Sequence, residues 1–523
     1  MSYDFVLTTD RTLMTNHHGK EFIGFMTTSP AVGMPEFLWM WLSAPKPKLF
    51  PDGRPIEAPY GMRKVEAALL NAGFKAAIVD PDALGRHLPT AKALMIGHHD
   101  YFAFSAPSNT WWAVTKREPV NRKYFRKLME SRPVREFKSS GGRIIVGGPA
   151  AWQWLHVPHL VEKWGVDSIV DGEAEKMVVE LAQRILDGEP IPRYVFMAPG
   201  EAPSLEEIPV IKGASVNGLV EIMRGCPRGC KFCSVTLRPL RFIPIEKIIQ
   251  EIRVNKSFGV DHVLLHSEDV LLYGADGVKP REGPLLRLHR SVLSEKPESL
   301  GWAHLSLAAA VYAEKNGKIL SKLTEEIFSK TGQSYLGVQT GLETGSRRLA
   351  KIIMPAKAAP YEADKWPEVA EEAFAILADA NIVPAATIIL NLPEERPEDL
   401  QETIELMDRL KDYPSLIVPM YFVPMGVLKS EEELLKFRIK VEHVEVMWKT
   451  LEHSLYWSKK LVDMYLSDRP VMRRLVGLFI KFIESKKKSL EKKVREIIEQ
   501  AAQGKYVHTP SEGGRMVGCR PVE

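Results

Sequence analysis

Short apolar runs alternate with amphipathic helical stretches along most of this 523-residue chain. That alternation constrains the fold more than any single motif. In the first 205 residues the runs are "KAAIVD" ending at Asp80, "AKALMIG" at Gly97, "GGRIIVGG" at Gly148 and "VDSIVDG" at Gly172. Helical patterns lie between or after them: "GMRKVEAALLNAG" (61–73), "AWQWLHVPHLVEKWG" (151–165) and "EAEKMVVELAQRILDGE" (173–189). Strand–helix alternation with glycine after the strand predicts an α/β fold with a doubly wound parallel sheet. Such sheets take ligands at the carboxyl ends of their strands, where the glycine turns sit.

The proline-spaced segment 194–213 reads as a linker. Six further strands are expected after it: 218–224, 261–267, 301–307, 334–343, 384–393 and 416–424. Helical patterns separate them, which predicts a parallel β/α barrel or partial barrel with its chemistry at the C-terminal strand ends. From about 430 the pattern is helical, and the last twenty residues form a glycine-containing tail. The expected domains are therefore 1–205, 206–430 and 431–523.

Composition narrows the class. The chain is 45% apolar and 26% charged with a net charge of +4, so bulk charge favours neither nucleic acid nor any other partner. Three of its four cysteines are clustered, which is no disulfide framework. The first 22 residues contain no apolar signal core, and the longest apolar run (416–428) carries two prolines and is too short to span a bilayer. These features predict a cytoplasmic protein without a membrane span.

The cluster is "MRGCPRGCKFCSV" (223–235), with Cys226, Cys230 and Cys233 spaced C-x3-C-x2-C after the first barrel strand. Thiolates ligate iron–sulfur clusters, and three of them leave one iron of a cubane without a protein ligand. A zinc site is the alternative, but it normally takes a fourth Cys or His. None stands at that spacing nearby. This triad resembles that of the radical S-adenosylmethionine (SAM) superfamily, whose open iron chelates the amino and carboxylate groups of SAM. The resemblance implies a [4Fe–4S] cluster on the three cysteines, with Phe232 as the aromatic beside the third. It implies that Ser267, Glu268 or Asp269 in "LLHSED" accepts hydrogen bonds from the SAM ammonium. In "GVQTGLETGSRRLAKI" it points to Gln339, Glu343, Thr344 and Ser346, with Arg347 or Arg348 toward the carboxylate. In "IILNLPEERPED" Asn391 and Glu395 stand where the family has glycines near the adenine.

The N-terminal strand ends resemble those of the cobalamin-binding domain that precedes many radical SAM barrels. The resemblance places Gly147, Gly148, Gly172 and Glu173 along the nucleotide tail and Ser105, Ser108, Asn109 and Thr110 under the corrin. The usual D-x-H-x-x-G is absent, so cobalt lacks its usual histidine there. His98 and His99 are nearby, as strand-end hydrogen-bonding residues or as ligands. A similar domain without cofactor is the alternative. The first 225 residues contain no cysteine, unlike a methylthiotransferase, and only Cys519 follows the barrel, unlike enzymes with auxiliary clusters.

Together the resemblances imply a cobalamin-dependent radical SAM C-methyltransferase. A 5′-deoxyadenosyl radical would activate an unactivated sp3 carbon, which then takes a methyl group from methylcobalamin. The partners implied are a protein or peptide substrate and an electron donor such as ferredoxin or flavodoxin. The opening sequence resembles an archaeal branch, and within it the enzyme that methylates the α-carbon of a glutamine in methyl-coenzyme M reductase. An archaeal lipid, a small molecule, or a non-enzymatic cobalamin sensor are the rivals. Three features stay outside this reading: the aromatic stretch 34–48, the basic amphipathic stretch "RRLVGLFIKFIESKKKSLEKKV", and Cys519.

Overall fold

The computed structural model describes residues 2–428 and 440–502. Cys519 lies outside the described residues. The described residues divide into two compact units, one built from residues 2–220 and 243–263, the other from 221–242, 264–428 and 440–502.

The first unit holds a six-stranded parallel sheet. Its strands are β1 (Phe5–Thr8), β2 (Ala76–Ile78), β3 (Ala93–Gly97), β4 (Arg143–Gly147), β5 (Ser168–Asp171) and β6 (Tyr194–Phe196). Their order is β2-β1-β3-β4-β5-β6, every neighbour parallel. Side chains alternate between the faces, as the period of a strand requires. Val6, Leu94, Ile96, Ile144 and Val146 join Phe125 and Trp154 in one core. Phe5, Leu7, Ala93, Met95 and Ile145 join Met62 and Leu69 in the other. Both faces are thus covered, and the sheet is doubly wound as expected.

Two strands were not expected. The internal strand β1, next to the edge, lies in the N-terminal stretch, and the edge strand β6 occupies the start of the segment read as a linker. Four residues of "FVLT" are too short to show a period before the sheet flanks them on both sides. The helix Ile245–Ser257 follows the first barrel strand in sequence but packs within this first unit. Lys64 Nζ meets Glu251 Oε1 at 2.5 Å, and Ser215 N donates to Asn255 Oδ1 at 2.8 Å.

The barrel strands are β7 (Leu219–Glu221), β8 (His262–His266), β9 (Ser299–Trp302), β10 (Leu336–Glu343), β11 (Ile382–Leu390) and β12 (Leu416–Tyr421). Five of the six fall within the stretches the sequence indicated, to within two or three residues at their ends. β9 lies earlier than the expected 301–307, sharing only Gly301 and Trp302 with it, because Ser306 caps a helix that begins at Leu307. They form two three-stranded sheets, β9-β8-β7 and β10-β11-β12, and the parallel bridge between His304 and Gln339 joins the two. The result is an open barrel in sequence order. The helix Val441–Tyr465 packs on β12, with Ile417 N donating to Ser454 Oγ at 2.9 Å and Trp457 Nε1 to the Lys411 carbonyl at 3.1 Å. It covers a strand edge that would otherwise offer unpaired backbone groups. Among the described residues no helix is long and apolar enough to cross a membrane.

Candidate active site at the carboxyl ends of the barrel strands

The cysteine loop begins at Gly225, whose φ is +80°. A Cβ there would lie 2.7 Å from the carbonyl oxygens of Arg238 and Pro239, so only glycine fits. A two-residue antiparallel pairing, Met223–Arg224 with Arg241–Phe242, closes the base of the loop. Cys230 is buried and Cys226 and Cys233 are half-buried. Burial pushes the Cys226 thiol up to about 12 and raises Cys230 and Cys233 as well. Thiols so placed give up their protons only to a strong compensating positive charge, which bound iron supplies.

The loop is braced against the segment 353–359, which follows the short helix Arg347–Ile353 after β10. Arg228 Nη1 donates to the carbonyls of Ala356 (3.2 Å), Lys357 (2.9 Å) and Ala359 (3.0 Å). Lys231 N donates to the Ile353 carbonyl at 2.9 Å. The side chain of Lys357 returns toward the cysteines, lying 5.7 Å from the centre of the Phe232 ring. Its Nζ donates to Glu343 Oε1 at 2.6 Å, and Thr387 Oγ1 donates to Glu343 Oε2 at 3.1 Å. Burial would lower the Lys357 pKa, but Glu343 and the Cys230 thiol more than offset this and raise it above the ordinary lysine value.

Glu343 owes its position to an irregularity. The β10–β11 register shifts between Gly341 and Glu343, and Glu343 takes a φ of +65°. Non-glycine residues adopt that region rarely, mostly where the surroundings force it. Gly341 sits directly beneath: a Cβ there would lie 2.0 Å from Glu343 Oε1 and 2.3 Å from Lys357 Nζ. Gln339, two residues earlier, shares the Gly341 face of the strand and is half-buried.

The other expected residues divide clearly. Ser267 is buried, and its Oγ has no partner among the described residues. Glu268 is exposed and lies within electrostatic reach of Cys233. Asp269 is occupied instead: it accepts from Ser306 Oγ and Leu271 N, and Arg228 Nη2 stands 3.7 Å away. Burial raises its carboxyl, and Arg228 and Ser306 act against that. Thr344 and Ser346 shape the backbone, since Ser346 caps the helix Arg347–Ile353 through Leu349 N and donates to Asp399, while Thr344 Oγ1 accepts from Ser346 N. Arg347 pairs with Glu368 and Arg348 with Asp399, so both guanidinium groups expected near a carboxylate are engaged elsewhere. Glu395 folds back on its own loop, accepting from Asn391 N at 2.9 Å, and pairs with His443 Nε2 at 2.5 Å. Its carboxylate closes the turn where glycines were expected.

In the first unit the sheet order places a switch point between β1 and β3, the crevice that takes ligands in open α/β sheets. There His98 Nε2 meets Asp10 Oδ2 at 2.6 Å, and His98 Nδ1 accepts from Asp100 N at 2.8 Å. Both imidazole nitrogens are therefore used, and His98 is a structural hydrogen-bonding residue, not a free metal ligand. His99 is exposed. Ser105 Oγ accepts from Gln153, Ser108 Oγ accepts from Asn121, and Thr110 Oγ1 donates to the Ala106 carbonyl. Asn109 and Glu173 are half-buried. The glycines answer to their neighbours: a Cβ on Gly147 would come 3.2 Å from the Val170 carbonyl, on Gly148 3.1 Å from that of His98, and on Gly172 2.7 Å from Met197 Cβ. Thr9 Oγ1, just beyond the end of β1, is buried without a partner among the described residues. The aromatic stretch 34–48 forms the helix Glu36–Ser43, which buries Trp39, Met40 and Leu42 and exposes Phe37 and Trp41.

Residues 220–407 match the model of the radical SAM superfamily. This segment is a radical SAM domain. The tRNA-2-methylthio-N(6)-dimethylallyladenosine synthase of Thermotoga petrophila is 23% identical over 309 residues, covering 58% of this chain and 65% of that protein. The protein of the same name from Bacillus subtilis is 22% identical over 250 residues, covering 47% and 45%. The chain thus spans less than two thirds of the length of these relatives. The fold is similar to that of the radical S-adenosylmethionine methyltransferase TsrM from Kitasatospora setae, solved with cobalamin and a [4Fe-4S] cluster bound. The TM-score is 0.50 at 13% identity, covering 84% of this chain and 76% of that one.

A radical SAM domain makes the chain an enzyme and implies a [4Fe–4S] cluster and SAM. The residues present fit the cluster. Among the described residues no group of three or more His, Cys, Asp or Glu side chains is placed to hold a single metal ion. A cubane makes a different demand, since its thiolates bind separate irons. The cations beside the triad, Arg228 and Lys357, suit an anionic cluster. Both were missed in the sequence: Arg228 lies inside the cysteine motif, where only the thiols draw notice, and Lys357 sits in "MPAKAAP", which carries no pattern.

Proposed function

We propose that the protein is a cobalamin-dependent radical SAM C-methyltransferase. The observation that carries the reading is the pairing, in one chain, of the cysteine-bearing open barrel with a six-stranded sheet of order β2-β1-β3-β4-β5-β6. That sheet offers a strand-end crevice for a second cofactor. Thr9 Oγ1, Asn109 and Glu173 are the polar groups suited to a bound cobalamin. The exposed Trp111 of the helix Ala106–Thr115 is suited to the apolar ring. The methylthiotransferase reading is weaker because no cysteine precedes Cys226.

When bound, the cluster and SAM supply an organic radical and cobalamin supplies a methyl group. The chain's part is to bind, orient and exclude water. Cys226, Cys230 and Cys233 would hold the cluster by three of its irons, leaving one for SAM. Ser267 and Glu268 would accept N–H bonds from its ammonium, whereas Asp269 accepts from Ser306 and Leu271 of its own surroundings. Gln339, on the Gly341 face of β10, would lie on the same side as the SAM residues.

For the substrate, the resemblance of the opening sequence supports a protein substrate, the α-carbon of a glutamine in methyl-coenzyme M reductase, with a ferredoxin- or flavodoxin-type electron donor. The reconstituted enzyme, given SAM, cobalamin and a peptide bearing that glutamine, is expected to release 5′-deoxyadenosine and S-adenosylhomocysteine and to add fourteen mass units (one CH2, roughly 14 Da) to the peptide. Deoxyadenosine alone, with no cobalamin retained, would contradict the methyltransferase reading.

A further inference from the structure

The buried Lys357–Glu343 pair is the feature that the cluster ligands leave unexplained: Glu343 was expected near SAM, and in the structure its carboxylate is paired with Lys357. A buried ion pair is weak evidence for stability, because desolvation offsets most of the attraction. This pair is also costly locally. It needs a left-handed Glu343, a register break in β10, and a glycine at 341 that leaves room for both charged ends. Those features together indicate a function for the charges themselves.

Their surroundings say which one. Lys357 Nζ lies over Phe232, between the second and third cysteines in sequence, and the backbone of Lys357 is tied to the cysteine loop by Arg228. Both Cys230 and Cys233 lie within its electrostatic reach. Glu343, carried by the end of β10 and held by Thr387, also lies within electrostatic reach of Cys230. Three thiolates outweigh the positive charge of a four-iron core, so the site is anionic when oxidised and more so when reduced. A fixed cation nearby favours the reduced form and a fixed anion disfavours it, strongly where water is excluded.

We propose that Lys357 and Glu343 are positioning charges that set the reduction potential of the cluster, Lys357 raising it and Glu343 moderating that rise. The inference rests on the radical SAM reading of the triad. One electron enters the cluster from an external reductant, and the pair neither gains nor loses a proton in that step.

The test is an EPR-monitored redox titration of the full chain, reconstituted anaerobically with ferrous iron and sulfide, without SAM. Lys357→Met is expected to move the midpoint to more negative potential and Glu343→Gln to move it to more positive potential, each with undiminished iron. Lys357→Arg is expected to restore the wild-type value. A purely structural role would shift neither, or would cost iron in both. Unchanged midpoints, or shifts of the same sign, overturn the proposal. If Lys357→Met fails to hold iron, Glu343→Gln decides alone: a rise supports the proposal, and no change or a fall overturns it. Wild-type protein that loads no four-iron cluster overturns both this proposal and the reading beneath it.

Discussion

Arg228 Nη1 donates to the carbonyl of Lys357 at 2.9 Å, binding the cysteine loop to the turn that follows the helix Arg347–Ile353. The guanidinium is 3% exposed and reaches two further carbonyls of the same turn. Hydrogen bonds from a charged donor contribute about 1.5–3 kcal/mol each in favourable settings, and stranded carbonyls cost more. Arg228→Met is therefore expected to lower stability by about 3 kcal/mol and to load less than half the wild-type iron. Iron and sulfide analysis after reconstitution checks this, and Arg228→Lys should recover only part of the loss because a flexible ammonium lacks the rigid planar group that holds the donor among these carbonyls.

In the first unit, Asp10 accepts from Thr12 N and Thr12 Oγ1, both at 2.6 Å, as well as from His98. His98→Ala leaves this buried carboxylate without its imidazole partner. Removing one member of a buried pair costs about 3–5 kcal/mol. Chemical denaturation should show a loss of that size for His98→Ala and a smaller one for Asp10→Asn, which keeps an acceptor.

Acid stability carries a signature of His289. Trp302 Nε1 donates to His289 Nε2 at 3.0 Å, and His289 Nδ1 lies 2.8 Å from the Leu285 carbonyl, which fixes the neutral ring. Burial depresses its pKa from 6.5 to about 4, against small opposing effects of the Leu285 carbonyl and Glu326. Between those values the unfolded chain binds the extra proton and the folded one does not, so stability rises with pH there. The contribution, about 3 kcal/mol at neutral pH, is lost as pH falls from 6.5 toward 4. His289→Gln should flatten that limb of a stability-versus-pH curve while leaving the region above pH 7 with no new slope.

Gly341→Ala tests the floor of the site. The new Cβ would meet only the far ends of Glu343 and Lys357, which can swing aside, so the fold should survive. The pair cannot keep its place. Isothermal titration is expected to show SAM affinity reduced about tenfold, a loss of ~1.4 kcal/mol, with the unfolding midpoint changed by only a few degrees.

The sequence made the barrel legible because each of its six strands is a distinct apolar run between helical patterns. The cysteine triad was legible because its chemistry is local, three thiols within eight positions. What the sequence hid depends on tertiary contact. β1 has only "FVLT" to announce it, and the strands that flank it on both sides lie about 70 to 90 residues away. Lys357 looks like a loop lysine until Arg228 and Glu343 draw it inward. Conversely, Ser346 and Arg347 matched a motif in sequence, but the fold spends them on a helix cap and a surface ion pair. Gly148 and Gly172 matched a cofactor pattern, yet close contacts with His98 and Met197 account for them.

The central claim is that three cysteines hold a four-iron cluster whose remaining iron is open to SAM. The most direct measurement is the EPR spectrum of the anaerobically reconstituted, dithionite-reduced protein, recorded before and after adding SAM. The account predicts a reduced [4Fe–4S] signal whose g-values shift when SAM binds, and which is absent from the triple cysteine-to-alanine variant. A signal indifferent to SAM, or one that survives loss of Cys226, Cys230 and Cys233, would contradict it.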